Sequence, residues 1–254
     1  AKLARSVVLD GVSVFSLKDA RQAAEHLLYT GPIRFKPIHA CAGRDQRVIQ
    51  NLAQFDEIAA DPGAQAVFRD GVVLEQNLDE VRTQSVGQSS IHGNNLSYCG
   101  VQHLTRDSQG LEVYGGSDLL VVQGGYIELL RLELPDEMRE AVRLAQVFDD
   151  AANQAYPGFF ASRRNYDIAQ GIDAGGQPRG GVLEQSWRMG GASSAELAAL
   201  QVFVQDPSTS VVRVSSVETY IDQPLPPGAM EVYRGPAHNG DFLLKYVTVH
   251  SHDG

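Results

Sequence analysis

The chain has 254 residues, 43% of them hydrophobic, with a formal net charge of -10. Such a length and apolar content allow a substantial core and exclude a disordered chain, and an acidic excess with no long basic run excludes broad binding to nucleic acid or to an anionic membrane. Any phosphate group must therefore be held by a local cluster of cations. The two cysteines, Cys41 and Cys99, make neither a disulfide framework nor a zinc constellation. With no signal peptide and no apolar run of about 18 residues, the expectation is a reduced, cytoplasmic protein. The chain opens at Ala1 without methionine, which suggests that an N-terminal part is missing.

In chain order, Lys2 to Leu9 carries Leu3, Val7 and Val8 at helical spacing, with Gly11 as its stop. A short apolar piece, Val12 to Phe15, follows. Ser16 and Asp19 form a capping-box pattern ahead of a helix whose apolar face is Leu17, Ala20, Ala24, Leu27 and Leu28. Ile33 to Pro37, IRFKP, alternates as a half-buried strand with Lys36 near its end. Then come a brief strand at Val48-Ile49 and a helix from Leu52 to Ala60, stopped by Asp61-Pro62-Gly63. Gly71 to Leu78, GVVLEQNL, is an apolar strand that breaks into polar residues and marks the expected boundary between a first part, 1–78, and a larger second part, 79–254.

Two strands, Arg82 to Gln88 and Leu96 to Gln102, are joined through His92-Gly93-Asn94-Asn95 as a hairpin. The glycine-rich span Tyr114 to Tyr126 reads either as a loop over a site or as an ordinary connection. Asp136 to Ala155 is the clearest helix. GFFASRRNYDIAQG and GVLEQS, separated by the turn residues Asp173 to Gly176, predict adjacent antiparallel strands, and Ser193 with Glu196 predicts a capped helix to about Val204.

The richest chemistry lies in Gly181 to Ser193, GVLEQSWRMGGAS. In an extended strand Glu184 and Ser186 project together while Leu183 and Gln185 point away. Two oxygen ligands on one face, Arg188 two residues on and a Gly190-Gly191 turn suit a hard cation holding polyphosphate, because Mg²⁺ takes one or two carboxylates and completes its sphere with phosphate and water. A strand fraying into a polar turn is the plain alternative.

The order of these pieces, from KLARSVVLDGVSVFS through IRFKP and VVLEQNL to YDIAQG and VLEQSWRMGGAS, resembles the ATP-grasp superfamily over nearly the whole chain. It also looks like an uncharacterised bacterial branch of that superfamily, sometimes labelled biotin-carboxylase-like. The resemblance implies an α+β ATP-grasp fold with two α+β lobes, a nucleotide cleft between them, and an N-terminal partner domain missing. Residues 1–78 would include the small nucleotide-binding lobe and 79–254 the lobe with the metal site. It further implies ATP and Mg²⁺ as cofactors, and activation of a carboxylate as an acylphosphate that a nucleophile attacks.

Residue by residue, Lys2 and Lys36 match the phosphate lysines. Glu75, Gln76 and Leu78 match the hinge that reads adenine, through the Gln76 carbonyl and the Leu78 N–H. Asp79 or Glu80 would meet ribose, and Arg82 a further nucleotide contact. Asp167 and Glu184 match the metal carboxylates, with Ser186 where the family usually has asparagine. Arg188 matches the arginine that stabilises the acyl group, and Arg163 and Arg164 are candidates for the acid substrate or the γ phosphate. The loop PIHACAGRDQRV has one glycine where relatives have several. Met189-Gly190-Gly191-Ala192-Ser193 replaces the Gln-Val-Glu-His type of segment of biotin carboxylases, so carboxylation does not transfer.

The expected activity is an ATP-dependent carboxylate ligase acting on a small or peptide-like acid. A nucleotide-binding sensor or scaffold without turnover, and a small-molecule kinase, are the other readings. A homo-oligomer is compatible with all three; nucleic-acid and membrane partners are not expected.

Overall fold

A computed structural model describes residues 3–39, 46–237 and 240–250. The chain forms two compact units, one of Val8–Val81 with Gln170–Gly180, the other of Ala1–Val7, Arg82–Ala169 and Gly181–Gly254.

The smaller unit holds a four-stranded antiparallel sheet of β1 (Gly11–Val14), β2 (Ile33–Pro37), β3 (Arg47–Ile49) and β4 (Val72–Gln76), in the order β1-β4-β2-β3. Its helices are α1 (Leu17–Leu27), α2 (Leu52–Ala59) and α3 (Ala64–Asp70). The Ser16 hydroxyl caps α1, accepting from the Asp19 N–H at 3.1 Å and donating to the Asp19 carboxylate at 2.8 Å. Alternation in β2 and β4 sends Ile33, Phe35, Val72 and Leu74 into a core closed by Ala20, Ala24, Phe55 and Phe68. It leaves Arg34, Lys36 and Glu75 on the other face. The tip of a late hairpin belongs to this unit too. A Cβ on Gly31, whose φ is +150°, would come within 2.4 Å of the Ala174 side chain, so glycine is required there.

The larger unit is built on an eight-stranded sheet in the order β11-β12-β10-β7-β6-β5-β8-β9. The strands are β5 (Asp79–Ile91), β6 (Asn94–Arg106), β7 (Glu112–Gln123), β8 (Arg163–Ile172), β9 (Pro178–Ser186), β10 (Val211–Thr219), β11 (Met230–Pro236) and β12 (Phe242–Val249), and the first three residues of β5 and the tip of β8–β9 continue into the smaller unit. Pairing from β11 to β5 is antiparallel. Leu96, Tyr98, Leu119, Val121, Val212 and Val214 pack against Ala195, Ala198, Ala199 and Phe203 of α6 (Ser193–Gln205). Helices α4 (Tyr126–Leu130) and α5 (Asp136–Ala155) also pack on the sheet, with the Phe148 ring 5.5 Å from that of Tyr166.

Three expectations are corrected. Lys2 to Leu9 is not a helix: among the described residues it holds only a 3-10 turn at Arg5–Val7, and Gly11 begins β1 instead of ending a helix. The Tyr114 to Tyr126 span is neither lid nor connection but mostly the interior strand β7. Its glycines mark close approaches: a Cβ on Gly116, at φ +132°, would lie 2.0 Å from the Ser216 carbonyl oxygen. Finally, α6 begins after Ala192 with no side-chain cap, because the Ser193 hydroxyl accepts from the Gly190 N–H and Glu196 turns inward. Among the described residues no helix is long and apolar enough to cross a membrane.

Phe55 is fully buried between the helices and the small sheet. Phe55→Ala should cost about 3–5 kcal/mol in urea unfolding, whereas Ser16→Ala, which loses one exposed cap, should cost about 1 kcal/mol.

Candidate functional site

In the smaller unit the expected nucleotide residues lie on β2, β4 and the segment that follows. Lys36 and Glu75 sit on the face opposite the core and form a largely buried ion pair. The main chain after β4 is drawn inward: the Gln76 N–H donates to the Asp10 carbonyl at 2.7 Å and the Asn77 N–H to that of Pro32 at 3.0 Å. Arg34 donates to the Asn77 side chain at 2.9 Å, and Asn77 donates to Asp79 at 3.3 Å. The Leu78 side chain is buried, and Glu80 has a positive φ of 53°. Gln76 Oε1 is buried and accepts from none of the described residues, an acceptor at the position where the hinge was expected. Lys2 lies outside the described residues, as do Cys41, Arg44 and Asp45 of the glycine-poor loop that follows Lys36.

In the larger unit the alternation of β8 decides which groups meet. Arg163, Asn165 and Asp167 bond to partners on the α6 side of the sheet, while Arg164 and Tyr166 bond to Asp149 of α5. Asp167 Oδ1 accepts from Gln102 Nε2 at 2.8 Å, Asn165 Nδ2 at 3.0 Å and Ser85 Oγ at 3.3 Å. None of the hydrogen bonds found among the described residues ends on Oδ2. Burial pushes the Asp167 carboxyl above its ordinary value, against those three hydrogen bonds and the charge of Arg163, which favour ionisation.

Glu184 stands exposed on β9, the strand next to β8. Ser186 ends β9 with its hydroxyl buried and bonded to none of the described residues. A Cβ built on Gly190 would lie 3.5 Å from that hydroxyl and from Arg188 Nη1, and 3.7 Å from Arg163 Nη1. The hydroxyl and the two guanidinium groups thus border the same backbone position at Gly190.

The three candidate arginines differ sharply. Arg163 is buried and donates to Glu196, Tyr98 and the carbonyls of Ser186 and Arg188. Its donors face protein on every side. Arg164 donates to Asp149 at 3.1 Å and Asn153 at 2.8 Å, and its guanidinium lies 4.8 Å from the centre of the Phe159 ring. Arg188 is exposed, with one Nη1 hydrogen bond of 2.8 Å to the Met189 carbonyl. Arg82 is exposed and paired with Glu137 at 3.3 Å.

Among the described residues no three or more His, Cys, Asp or Glu side chains are grouped so as to hold a metal. Two carboxylates on adjacent strands fit Mg²⁺, which takes its other ligands from phosphate and water, and do not fit a metal that needs a full protein cage. Sequence reading missed Ser85, Gln102 and Asn165 around Asp167, and Glu196 and Tyr98 around Arg163. Asn165 carried a signal, since it shares a strand face with Asp167 at a spacing of two. Cys99 is buried, and burial pushes its thiol up to about 12, as a small core residue requires.

Residues 1–247 match a family described as "Protein of unknown function (DUF3182)". The chain belongs to this family. No curated protein matches it. Among solved structures it is similar to the biotin carboxylase domain of the 2-oxoglutarate carboxylase of Hydrogenobacter thermophilus, a dimer in complex with MgADP, ADP and bicarbonate. The identity is 14% and the TM-score 0.59, over 98% of this chain and 60% of that one. It is also similar to phosphoribosylamine–glycine ligase of Thermotoga maritima, at 13% identity and a TM-score of 0.54, over 98% of this chain and 68% of the ligase. The family member thus spans only 60% of the carboxylase domain's length. Its fold is the α+β ATP-grasp fold of these enzymes.

A raised Asp167 value has a definite sign. The unfolded chain gives up this proton at lower pH than the folded one, so the group's contribution is most favourable in acid and declines as pH rises from the unfolded value past the folded one. Asp167→Asn should therefore raise the melting temperature at neutral pH in metal-free buffer, with the gap closing in acid, in thermal scans across pH.

Proposed function

We propose that the protein is an ATP- and Mg²⁺-dependent carboxylate ligase that activates a small or peptide-like acid as an acylphosphate and passes it to an amine or another nucleophile. The observation that carries this reading is the β8–β9 hairpin of an ATP-grasp fold, where Asp167 on β8 and Glu184 and Ser186 on β9 stand on two neighbouring strands and Arg188 follows two residues after β9 ends. Solved relatives of that fold include a carboxylase domain holding MgADP and a glycine ligase.

In this reading Asp167 and Glu184 hold the metal, which would draw charge from the phosphate oxygens. Arg188 offers exposed donors to the anionic acyl group. Ser186, beside Arg188, donates to a phosphoryl oxygen in preference to binding metal. Lys36 contacts the phosphates, exchanging its present partner Glu75 for them. Glu75, Gln76, Leu78 and Asp79 line the adenosine end, the orphaned Gln76 Oε1 being one acceptor for an exocyclic amine. Arg164, neutralised by Asp149, supports Tyr166 and Phe159 and does not reach for substrate. A homo-oligomer is proposed by likeness to the dimeric carboxylase domain.

A sensor or scaffold without turnover is the second reading, favoured by a serine hydroxyl where a metal-ligating amide was expected. Saturating MgATP should stabilise the protein in either case, by about 2.7 kcal/mol at a hundredfold excess over Kd. ADP and phosphate release that requires an added acid supports the ligase, and tight binding without release supports the sensor. Asp167→Asn and Glu184→Gln should each lower Mg²⁺-dependent kcat by about a hundredfold or more while leaving the fold intact. Near-normal turnover in both variants would overturn the assignment.

A further inference from the structure

Arg163 is the first residue of β8 and Ser186 the last of β9. Residues 187 and 188 lie past the end of β9, where main-chain carbonyls without partners would leave the strand end to fray. The Arg163 side chain takes over at this point. Nη1 donates to the Ser186 carbonyl at 3.2 Å and to the Arg188 carbonyl at 2.5 Å. Nε and Nη2 grip Glu196 of α6 at 2.7 to 2.9 Å, and Nη2 also meets the Tyr98 hydroxyl at 3.3 Å. All five N–H donors of the guanidinium are engaged.

An arginine–carboxylate pair buried this deeply, with side chains 7% and 3% exposed, is a poor device for stability alone, because desolvation offsets the attraction and an apolar pair of similar volume would serve as well or better. What no apolar pair could do is span two alternate carbonyls and so fix where residues 186 and 188 present their side chains. The same network continues to the metal carboxylate: the Tyr98 hydroxyl lies 2.8 Å from Asn165 Oδ1, and Asn165 Nδ2 donates to Asp167.

We infer that Arg163, seated on Glu196, is a positioning residue that clamps the end of β9 and sets Ser186 and Arg188 against Asp167. The inference rests on the ligase reading for what those residues do, and on geometry alone for the clamp itself. It gives the arginine an internal role in place of contact with the acid substrate or γ phosphate.

The chain's only tryptophan reports on the clamp. Trp187 lies between the two clamped carbonyls, with its ring 4.5 Å from that of Phe159 and its Nε1 donating to the Tyr166 hydroxyl at 3.2 Å. Two variants separate clamp from charge. Arg163→Lys keeps a cation beside Glu196 but cannot span two carbonyls. The double variant Arg163→Met/Glu196→Gln removes both buried charges, avoiding the unpaired carboxylate that would unfold a single substitution.

In both variants Trp187 emission should move to longer wavelength and acrylamide quenching should rise, while far-UV dichroism stays native. The Mg²⁺-dependent gain in ATP affinity, measured by calorimetry with and without EDTA, should fall about tenfold or more, with metal-free ATP affinity held. Wild-type emission and quenching in Arg163→Lys, or a changed emission with an undiminished metal effect, would overturn the inference, and should the double variant fail to fold, Arg163→Lys alone decides. A wild-type protein that binds no MgATP would instead sink the ligase reading, and the emission comparison would still test the clamp.

Discussion

The two-residue period of β8 is the constraint on which the candidate site depends. Odd positions carry Arg163, Asn165 and Asp167 to one side, where Glu196, Tyr98, Gln102 and Ser85 receive them; Arg164 and Tyr166 go to the other, where Asp149 accepts from both. A slip of one residue would exchange the two sets and bury each charge among the wrong partners. Register is thus specified twice, by apolar packing and by buried charge on each face. Mixed polar networks of this kind are favourable only when each member is satisfied, and the arginine on each side of the strand has its carboxylate.

The smaller unit shows a related arrangement at lower stakes. Lys36 and Glu75 lie on adjacent strands, β2 and β4, and neutralise one another on the face away from the core. A half-buried ammonium needs a counterion, and a carboxylate supplies it here; in the proposed function a phosphate would take that place. Lysine suits such an exchange because its point charge on a flexible stem is indifferent to the geometry of its partner. An arginine held in a bidentate fork, as Arg163 is, would not exchange so readily.

Much of this was legible in the sequence where the signal was local. The Ser16 cap, the alternation of IRFKP, the Asp173–Gly176 turn and the long period of α5 each depend on residues within a few positions, and each element formed with small shifts of boundary. What failed was non-local. The strand β7 read as a loop over a site or an ordinary connection because its glycines look like turn residues, and only the neighbouring strands show that Gly116 is where the Ser216 carbonyl comes too close for any side chain. Helix α3 was missed because it is seven residues long, too short to declare a period. Arg163 and Arg164 looked alike as adjacent cations on a strand. Their partners, 33 positions later and 15 earlier, set them apart.

The charge balance narrows the role of the remaining arginine. In a chain of net charge -10, an anionic ligand is repelled by the whole and must be held by a few cations near the site. At the base of the β8–β9 hairpin three arginines are in place, but a guanidinium already facing a carboxylate contributes little field to a second anion. Arg163 is neutralised by Glu196 and Arg164 by Asp149. Arg188, exposed and bonded to a main-chain carbonyl of its neighbour, keeps its charge uncompensated by any ion pair found among the described residues. Burial therefore separates three similar side chains: two are neutralised inside the protein around the hairpin, and the third is the one whose charge remains available for the anion of the proposed reaction.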